Sequence, residues 1–461
     1  MNTSELDKYK VDHLFLLIGE NPLPNYVAAR LLLNDKQSSN HERTLYLVHT
    51  TWTEKAAKRL KNILQSESDS PNLCDSEIQL LSINDDEADA YRIKEKIREE
   101  LDYISNGSIG LNYTGGTKAM SVHSYRALFY DQRDQSQQQY TNTKRKNVVF
   151  SYLDARRLQM CIDNEEGERD AIKVTPELLQ VDLKIVFELH GWKWVSSPTD
   201  KPQLSKAAQA FAEFHQQSED AAAKWREWCD QVLRSDTKDG KNWKGEQDLK
   251  QVYNLSLERF DSCPQIKNAL NDLGITGRQL NLYKIKEQGL KKLKHVCEWL
   301  DGEWLEHYVL QQVQEILPDK LSQDKDKDKD KDKMQSATSF WMSPDESKEQ
   351  KFQFDVAFIK GYQLFAISCT TDRTLTLCKS KLFEAYIRAQ QLGGSEARVA
   401  LICCLNKNHV NKLKTEIVNV LNPKPDDPTK DHKIEIFGRE DLIGISAQIK
   451  KWIEQVDRET R

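Results

Sequence analysis

Along the first third of the chain, mostly apolar residues come in short runs: Leu14–Ile18, Thr44–His49, Ile78–Ile83, Ser108–Tyr113 and Val148–Leu153. Between them lie longer stretches whose apolar positions recur with helical spacing: Pro24–Leu33, Trp52–Leu64, Ala88–Ile104 and Thr117–Tyr130. Strands that are apolar on both faces and separated by helices predict a parallel sheet covered on both sides. Residues 1–165 therefore read as a Rossmann-like α/β domain. The Gln/Thr/Lys-rich stretch Gln135–Lys146 and the acidic stretch Asp163–Asp170 read as surface excursions from it.

The pattern then changes. Thr175 is expected to cap a helix with Pro176 at its first position. Helical spacing continues to about Trp299, with Trp192, Trp194, Trp225, Trp228 and Trp243 supplying packing. Residues 166–300 are expected to form a helical connector containing a small winged-helix-like unit around Leu178–Trp192. Residues 301–461 read as a second α/β domain. Its expected elements are a helix over Trp304–Leu317, strands at Phe352–Phe358, Leu364–Cys369 and Arg398–Cys404, a helix over Ser380–Gln391, and a closing strand at Ile434–Phe437. The Lys/Asp repeat within residues 323–335 has nothing to bury and is expected to be a disordered, solvated loop.

Length fits this division, since 461 residues exceed what one core supports. A net charge of −5 argues against a chain that binds polyanions over its whole surface, so any nucleic-acid site has to be local. Nine cysteines without a CxxC pair read as buried thiols of a reducing compartment. The first apolar run, Val11–Ile18, is too short for a signal sequence or a membrane span, so the expected location is cytoplasmic with no membrane contact.

The first candidate chemistry sits where Ser108–Tyr113 runs into Thr114–Gly115–Gly116–Thr117–Lys118 and then a helix. A Gly-Gly turn there lets backbone amides approach an anion, with threonine hydroxyls and a lysine as further donors. It is neither GxGxxG nor a Walker loop. The alternative is a tight turn with no ligand. Asn21–Pro22–Leu23–Pro24–Asn25 stands at the corresponding end of the first strand, so two loops face one crevice.

These residues, and LNYTGGTKAM most specifically, resemble the CARF family, the CRISPR-associated Rossmann-fold sensors of type III systems. The resemblance implies a homodimer holding a cyclic oligoadenylate, cyclic tetra-adenylate in particular, as activator. It implies ring contacts from Asn21, Pro22, Pro24, Thr114, Gly115, Gly116, Thr117 and Lys118, with Thr50, Thr51 and Trp52 as weaker candidates. Trp52 either stacks on an adenine or packs on its own helix.

In the last third, Gly302–Glu303–Trp304–Leu305–Glu306 opens a helix, and Asp355 lies within an apolar strand, where a carboxylate is costly unless something pairs with it. This resembles the PD-(D/E)xK superfamily, as found in the nuclease half of Card/Can-type CARF effectors, and implies a C-terminal restriction-endonuclease-like domain. Where that pattern has Glu-x-Lys, this chain has Ser368–Cys369–Thr370. Either Glu384 and Lys381, three apart on the following helix, restore the missing charges, or they form a surface ion pair of little consequence. Glu303 reads as a first-turn acid favourable to the helix dipole, with an extra metal ligand as the alternative, and His307 as a helix-surface residue. Lys379, Arg388, Arg398, Lys407, His409, Lys412 and Lys414 add local positive charge suited to phosphates.

The resemblance thus implies a ligand-activated nuclease in which Glu306, Asp355 and Glu384 hold Mn²⁺ or Mg²⁺ and Lys381 assists, acting on single-stranded DNA or RNA or on plasmid DNA. The rival reading is a catalytically silent, ligand-gated module that binds nucleic acid or a partner. A weaker third has the sensor degrading its own ligand.

Overall fold

The computed structural model describes residues 5–34, 42–67, 76–131, 143–144, 148–163, 169–195, 199–317, 336–344, 352–421 and 433–459. The Lys/Asp repeat, most of Gln135–Lys146 and residues 164–168 lie outside that set.

Strands β1 (His13–Leu17), β2 (Thr44–His49), β3 (Glu77–Ser82) and β4 (Ile109–Asn112) alternate with helices α1 (Leu23–Leu32), α2 (Glu54–Ser66), α3 (Ala90–Tyr103) and α4 (Lys118–Phe129). After a small hairpin of β5 (Tyr130–Asp131) and β6 (Thr143–Lys144), the chain adds β7 (Val148–Asp154), β8 (Gln159–Ile162) and β9 (Asp170–Lys173). The sheet order is β3-β2-β1-β4-β7-β8-β9, parallel through β7 and antiparallel beyond it. The five expected strands are present. The antiparallel edge was missed because four-residue strands carry too little pattern, and the acidic excursion is the connection between β8 and β9. Chain order reverses between β1 and β4, which opens a crevice at their carboxyl ends.

The helix expected from Thr175 is absent. Thr175 accepts from Leu178 and Leu179 in a single turn, and the helix begins only at α5 (Leu183–Leu189), capped by Asp182, which accepts the Lys184 amide at 2.6 Å. The intervening segment is drawn to the far domain instead: Val181 N donates to the Gly361 carbonyl, and Gly361 N to Gln180 Oε1. The next strand, β10 (Trp192–Trp194), pairs with β15 (Ser336–Pro344), so the segment read as a winged-helix-like unit supplies an edge to the second sheet.

Helices α6 (Ser205–Gln217), α7 (Glu219–Trp228) and α8 (Arg234–Thr237) follow, then the hairpin of β11 (Lys238–Asp239) with β12 (Asn242–Trp243) and helix α9 (Glu246–Leu249). Strand β13 (Asn254–Ser256) pairs with β14 (Gln279–Asn281) across α10 (Pro264–Asn271), and α11 (Leu282–Lys286) and α12 (Leu293–Glu298) lead to α13 (Trp304–Ile316). Beyond β15 come β16 (Phe352–Lys360), β17 (Gln363–Thr370), α14 (Leu375–Gly393), β18 (Arg398–Cys403), α15 (Lys407–Leu421), β19 (Ile434–Phe437) and α16 (Ile445–Glu459). The second sheet runs β10-β15-β16-β17-β18-β19.

Two cores cover its faces. On one, Trp225, Trp228, Trp299 and Trp304 pack with Phe358 and Phe365; on the other, α14 packs against α5, which also packs on α2 of the first domain. The eight described cysteines are free and buried, as expected.

Three histidines sit inside this framework. Burial lowers His190 to about 4, His215 to about 3 and His307 to about 4. Below pH 6.5 the unfolded chain takes up protons that the folded chain refuses. Stability present above that pH is therefore lost as pH falls, by up to about 1.4 kcal/mol per pH unit for each histidine. The urea midpoint should drop between pH 7 and pH 5, and His215→Gln should shallow that drop. Equal slopes for the two proteins would refute the assignment.

Candidate functional site

At the sensor crevice the loops after β1 and β4 touch. A Cβ on Gly115 would collide with the Leu17 carbonyl oxygen and lie 2.9 Å from Gly19 N, and Gly116 has φ +73°, so this turn tolerates only glycine at both positions. Buried Asn112 accepts the Thr114 amide at 3.3 Å and donates to Ser151 at 3.1 Å. Thr114 Oγ1 accepts from Leu153 N at 2.6 Å. Thr117 caps α4 by accepting from Met120 N at 3.1 Å, and donates to the Glu87 carbonyl at 2.9 Å. Among the described residues, no acceptor takes up the amides of Gly115 and Gly116.

The expected ring contacts divide. Gly116, Thr117 and Lys118 are exposed at the crevice; Thr51 and Trp52 are exposed in the loop after β2, and Trp52, 85% exposed, does not pack on its helix. Pro22, Pro24 and Thr50 are buried. Asn21 turns toward the second domain: Oδ1 accepts from Leu23 N, lies 3.0 Å from His190 Nε2 at the end of α5, and the amide group packs on Gly394 just after α14.

In the second domain, Asp355 of β16 accepts from Ser368 Oγ at 2.9 Å and from Cys369 N at 2.7 Å. Two residues of the Ser368–Cys369–Thr370 run therefore hold the aspartate. Lys381 of α14 approaches Asp355 Oδ2 to 3.9 Å and donates to the Cys369 carbonyl at 3.4 Å. Burial works against the Lys381 charge, but Asp355, then Glu306, outweigh it and raise the ammonium's pKa. Asp355, Ser368, Lys381, Glu384 and Arg388 line one pocket of about 310 Å³. Lys381, Glu384 and Arg388 share a helix face, so one face of α14 presents both signs of charge.

Glu306 is buried on α13, outside the pocket lining, and acts on Lys381 and Cys369 through its charge. Burial, then the neighbouring Glu298, pushes Glu303 up to about 8, which its sequence position did not suggest. His307 is buried rather than on the surface, and its Nδ1 accepts from Gln203 N at 3.3 Å. The expected basic face is smaller than the sequence implied. Arg398 is buried on the carbonyls of Glu396 and Ala397, Lys379 pairs with Glu416, and Lys414 with Glu435. Lys407, His409 and Lys412 are exposed, and Arg388 lies over Phe352 at 4.8 Å.

Among the described residues, no three His, Cys, Asp or Glu side chains gather as a metal cage. The pocket's two carboxylates fit the kind of ion that needs only one or two, its remaining positions going to water and phosphate.

Residues 14–164 match the family model of the Card1 CARF domain. No curated protein matches the chain. Among solved structures, protein VC1899 from Vibrio cholerae aligns with a TM-score of 0.64 at 15% identity, covering 96% of this chain and 98% of that one. Can2 from Sulfobacillus thermosulfidooxidans, in complex with cyclic tetra-adenylate, aligns with a TM-score of 0.56 at 15% identity, covering 97% and 98%. The chain therefore carries an N-terminal Rossmann-like CARF domain, within an architecture that resembles these two proteins over nearly its whole length.

Proposed function

We propose that the chain is a nuclease of type III CRISPR defence, switched on by a cyclic oligoadenylate. What carries the reading is one observation: Lys381 stands 3.9 Å from Asp355 and shares a pocket with Glu384. An ammonium and two carboxylates thereby meet although the strand lacks its Glu-x-Lys. The activator, cyclic tetra-adenylate, lies across a homodimer at the sensor crevice, where the Gly115 and Gly116 amides, Thr117 and Lys118 take its phosphates and Trp52 covers an adenine.

Asp355 and Glu384 are the residues that would hold Mg²⁺ or Mn²⁺, with Glu306 reaching from α13. Such an ion, when bound, supplies a Lewis acid and an acidified water. Lys381, kept charged by Asp355 and Glu306, donates to the attacking water or a phosphate oxygen. Ser368 and Cys369 N fix the Asp355 carboxylate so that one oxygen keeps its direction. Substrates are single-stranded DNA or RNA, or plasmid DNA.

Coupling runs through α5. His190 at its end meets Asn21 of the sensor loop, and Phe187 stacks on Phe354, the neighbour of Asp355, with ring centroids 5.9 Å apart. Ligand that favours one arrangement of Asn21 thereby biases the strand bearing Asp355.

A second reading has one observation in its favour. Asp355 Oδ2 is already engaged by Ser368 and Cys369, as suits a domain that binds nucleic acid or a partner without cutting.

Cleavage of labelled DNA and RNA with Mn²⁺ or Mg²⁺ should require cyclic tetra-adenylate and fall about 100-fold or more in Asp355→Ala, Glu384→Ala and Lys381→Ala. Ligand binding with no cutting of any substrate would favour the second reading. Lys118→Ala should weaken ligand binding by calorimetry about 10-fold, a single charge-assisted phosphate contact; an unchanged affinity would remove Lys118 from the site. His190→Ala should keep ligand affinity but reduce ligand stimulation by about 5-fold or more, the lower end of ordinary coupling energies. Equal stimulation in wild type and variant would show that α5 does not carry the signal.

A further inference from the structure

Three guanidinium groups gather at the carboxyl ends of β17 and β18, where the helical connector meets the second sheet. Arg226 of α7 donates to Thr371 Oγ1 and lies 3.6 Å from Asp301. Arg439, just after β19, donates to the Gln216 carbonyl at 3.2 Å and lies 3.6 Å from Glu219 and 3.3 Å from Glu440. Arg373, in the loop after β17, donates to the Glu219 backbone carbonyl at 3.3 Å; among the described residues it makes no ion pair. Arg373 and Arg439 meet the same residue, Glu219, one at its carbonyl and the other at its carboxylate, and Arg226 holds Thr371, two residues from Arg373, so the three share one small volume.

Gathering like charges half-buried is unfavourable unless an anion joins them. The carboxylates present serve the outer two arginines, whereas Arg373 faces a carbonyl. Burial, with the like charges of Arg439 and Arg226, holds the Arg373 guanidinium below its usual range despite Glu219. The position adds the second half of the argument. Thr371, which Arg226 holds, is two residues from Cys369, whose amide fixes Asp355. A Cβ on Gly302, the residue before Glu303, would lie 3.2 Å from Thr371 Oγ1. The cluster therefore adjoins the pocket's acid centre, on the connector side rather than the α14 side.

We propose that Arg373, flanked by Arg226 and Arg439, binds a backbone phosphodiester of the nucleic-acid strand beside the one to be cut. The inference rests on the nuclease reading above. A guanidinium fork matches two phosphate oxygens, and a phosphate there supplies the anionic partner that Arg373 lacks among the described residues. A chain with a net charge of −5 needs such a local site to hold a polyanion.

The test is binding of a fluorescein-labelled single-stranded oligonucleotide, DNA and RNA in turn, to the full chain with cyclic tetra-adenylate. Ca²⁺ replaces Mg²⁺, and the titration is repeated at several salt concentrations. Arg373→Ala should weaken binding about 10-fold at low salt and reduce the slope of log K against log salt by about 1. Arg373→Lys should recover part of the affinity, since charge returns without the fork. Arg439→Ala, with melting temperature checked because it also ties down backbone carbonyls, should act in the same direction. If wild type binds and cuts nucleic acid while Arg373→Ala, folded by its melting curve, keeps both affinity and slope, the phosphate site is overturned and the nuclease reading stands. If wild type binds neither DNA nor RNA, both are overturned together.

Discussion

Helix α5 has only seven residues, yet it must be covered on two sides at once. Leu183, Val186, Phe187 and Leu189 are all buried, with α2 of the sensor against one side and α14 of the second domain against the other. Without either neighbour it would expose apolar surface and, being so short, would not persist as a helix in water. The sensor and the Asp355 pocket are therefore not two bodies joined by a tether. Each completes the burial of the same element, so a displacement at the crevice has a packed route to β16 and α14.

The acid centre shows how an unfamiliar motif can satisfy a familiar demand. A carboxylate near the end of an apolar strand needs hydrogen bonds and an opposite charge. Asp355 obtains the first from a hydroxyl and an amide on the adjacent strand, and the second from α14. Serine at position 368 suits this better than glutamate would, because a second carboxylate at that point would repel the first unless an ion lay between them. That opposite charge, Lys381, stands on a helix that packs against α5.

Much of this was legible in the sequence. The five parallel strands and four helices of the first domain fall within a few residues of the apolar runs, because both-face burial leaves an unmistakable pattern. The Gly115–Gly116 turn was likewise readable from residue type and spacing, as was the shared helix face of Lys381 and Glu384, whereas the approach of Lys381 to Asp355 shows only in the structure. What escaped notice was non-local. Thr175–Pro176 has every local mark of a helix start, but Gly361, almost two hundred residues away, claims the backbone that follows. His307 is polar by type and buried against Gln203, a partner that no local window contains. Asn21 lies in the loop after β1, but its amide oxygen faces His190 rather than the open crevice, a direction that only tertiary packing fixes.

Strand β10 has a consequence for how such a chain could be taken apart. Three residues ahead of the long helical stretch complete the edge of a sheet whose other strands come more than a hundred residues later. In topological terms the segment between them is an insertion within the second domain, not a spacer before it. A cut at the start of α13 would leave β15 as a naked edge inviting pairing with other chains, whereas a cut before α5 would carry the sheet, its border and the inserted helical body away as one heritable unit.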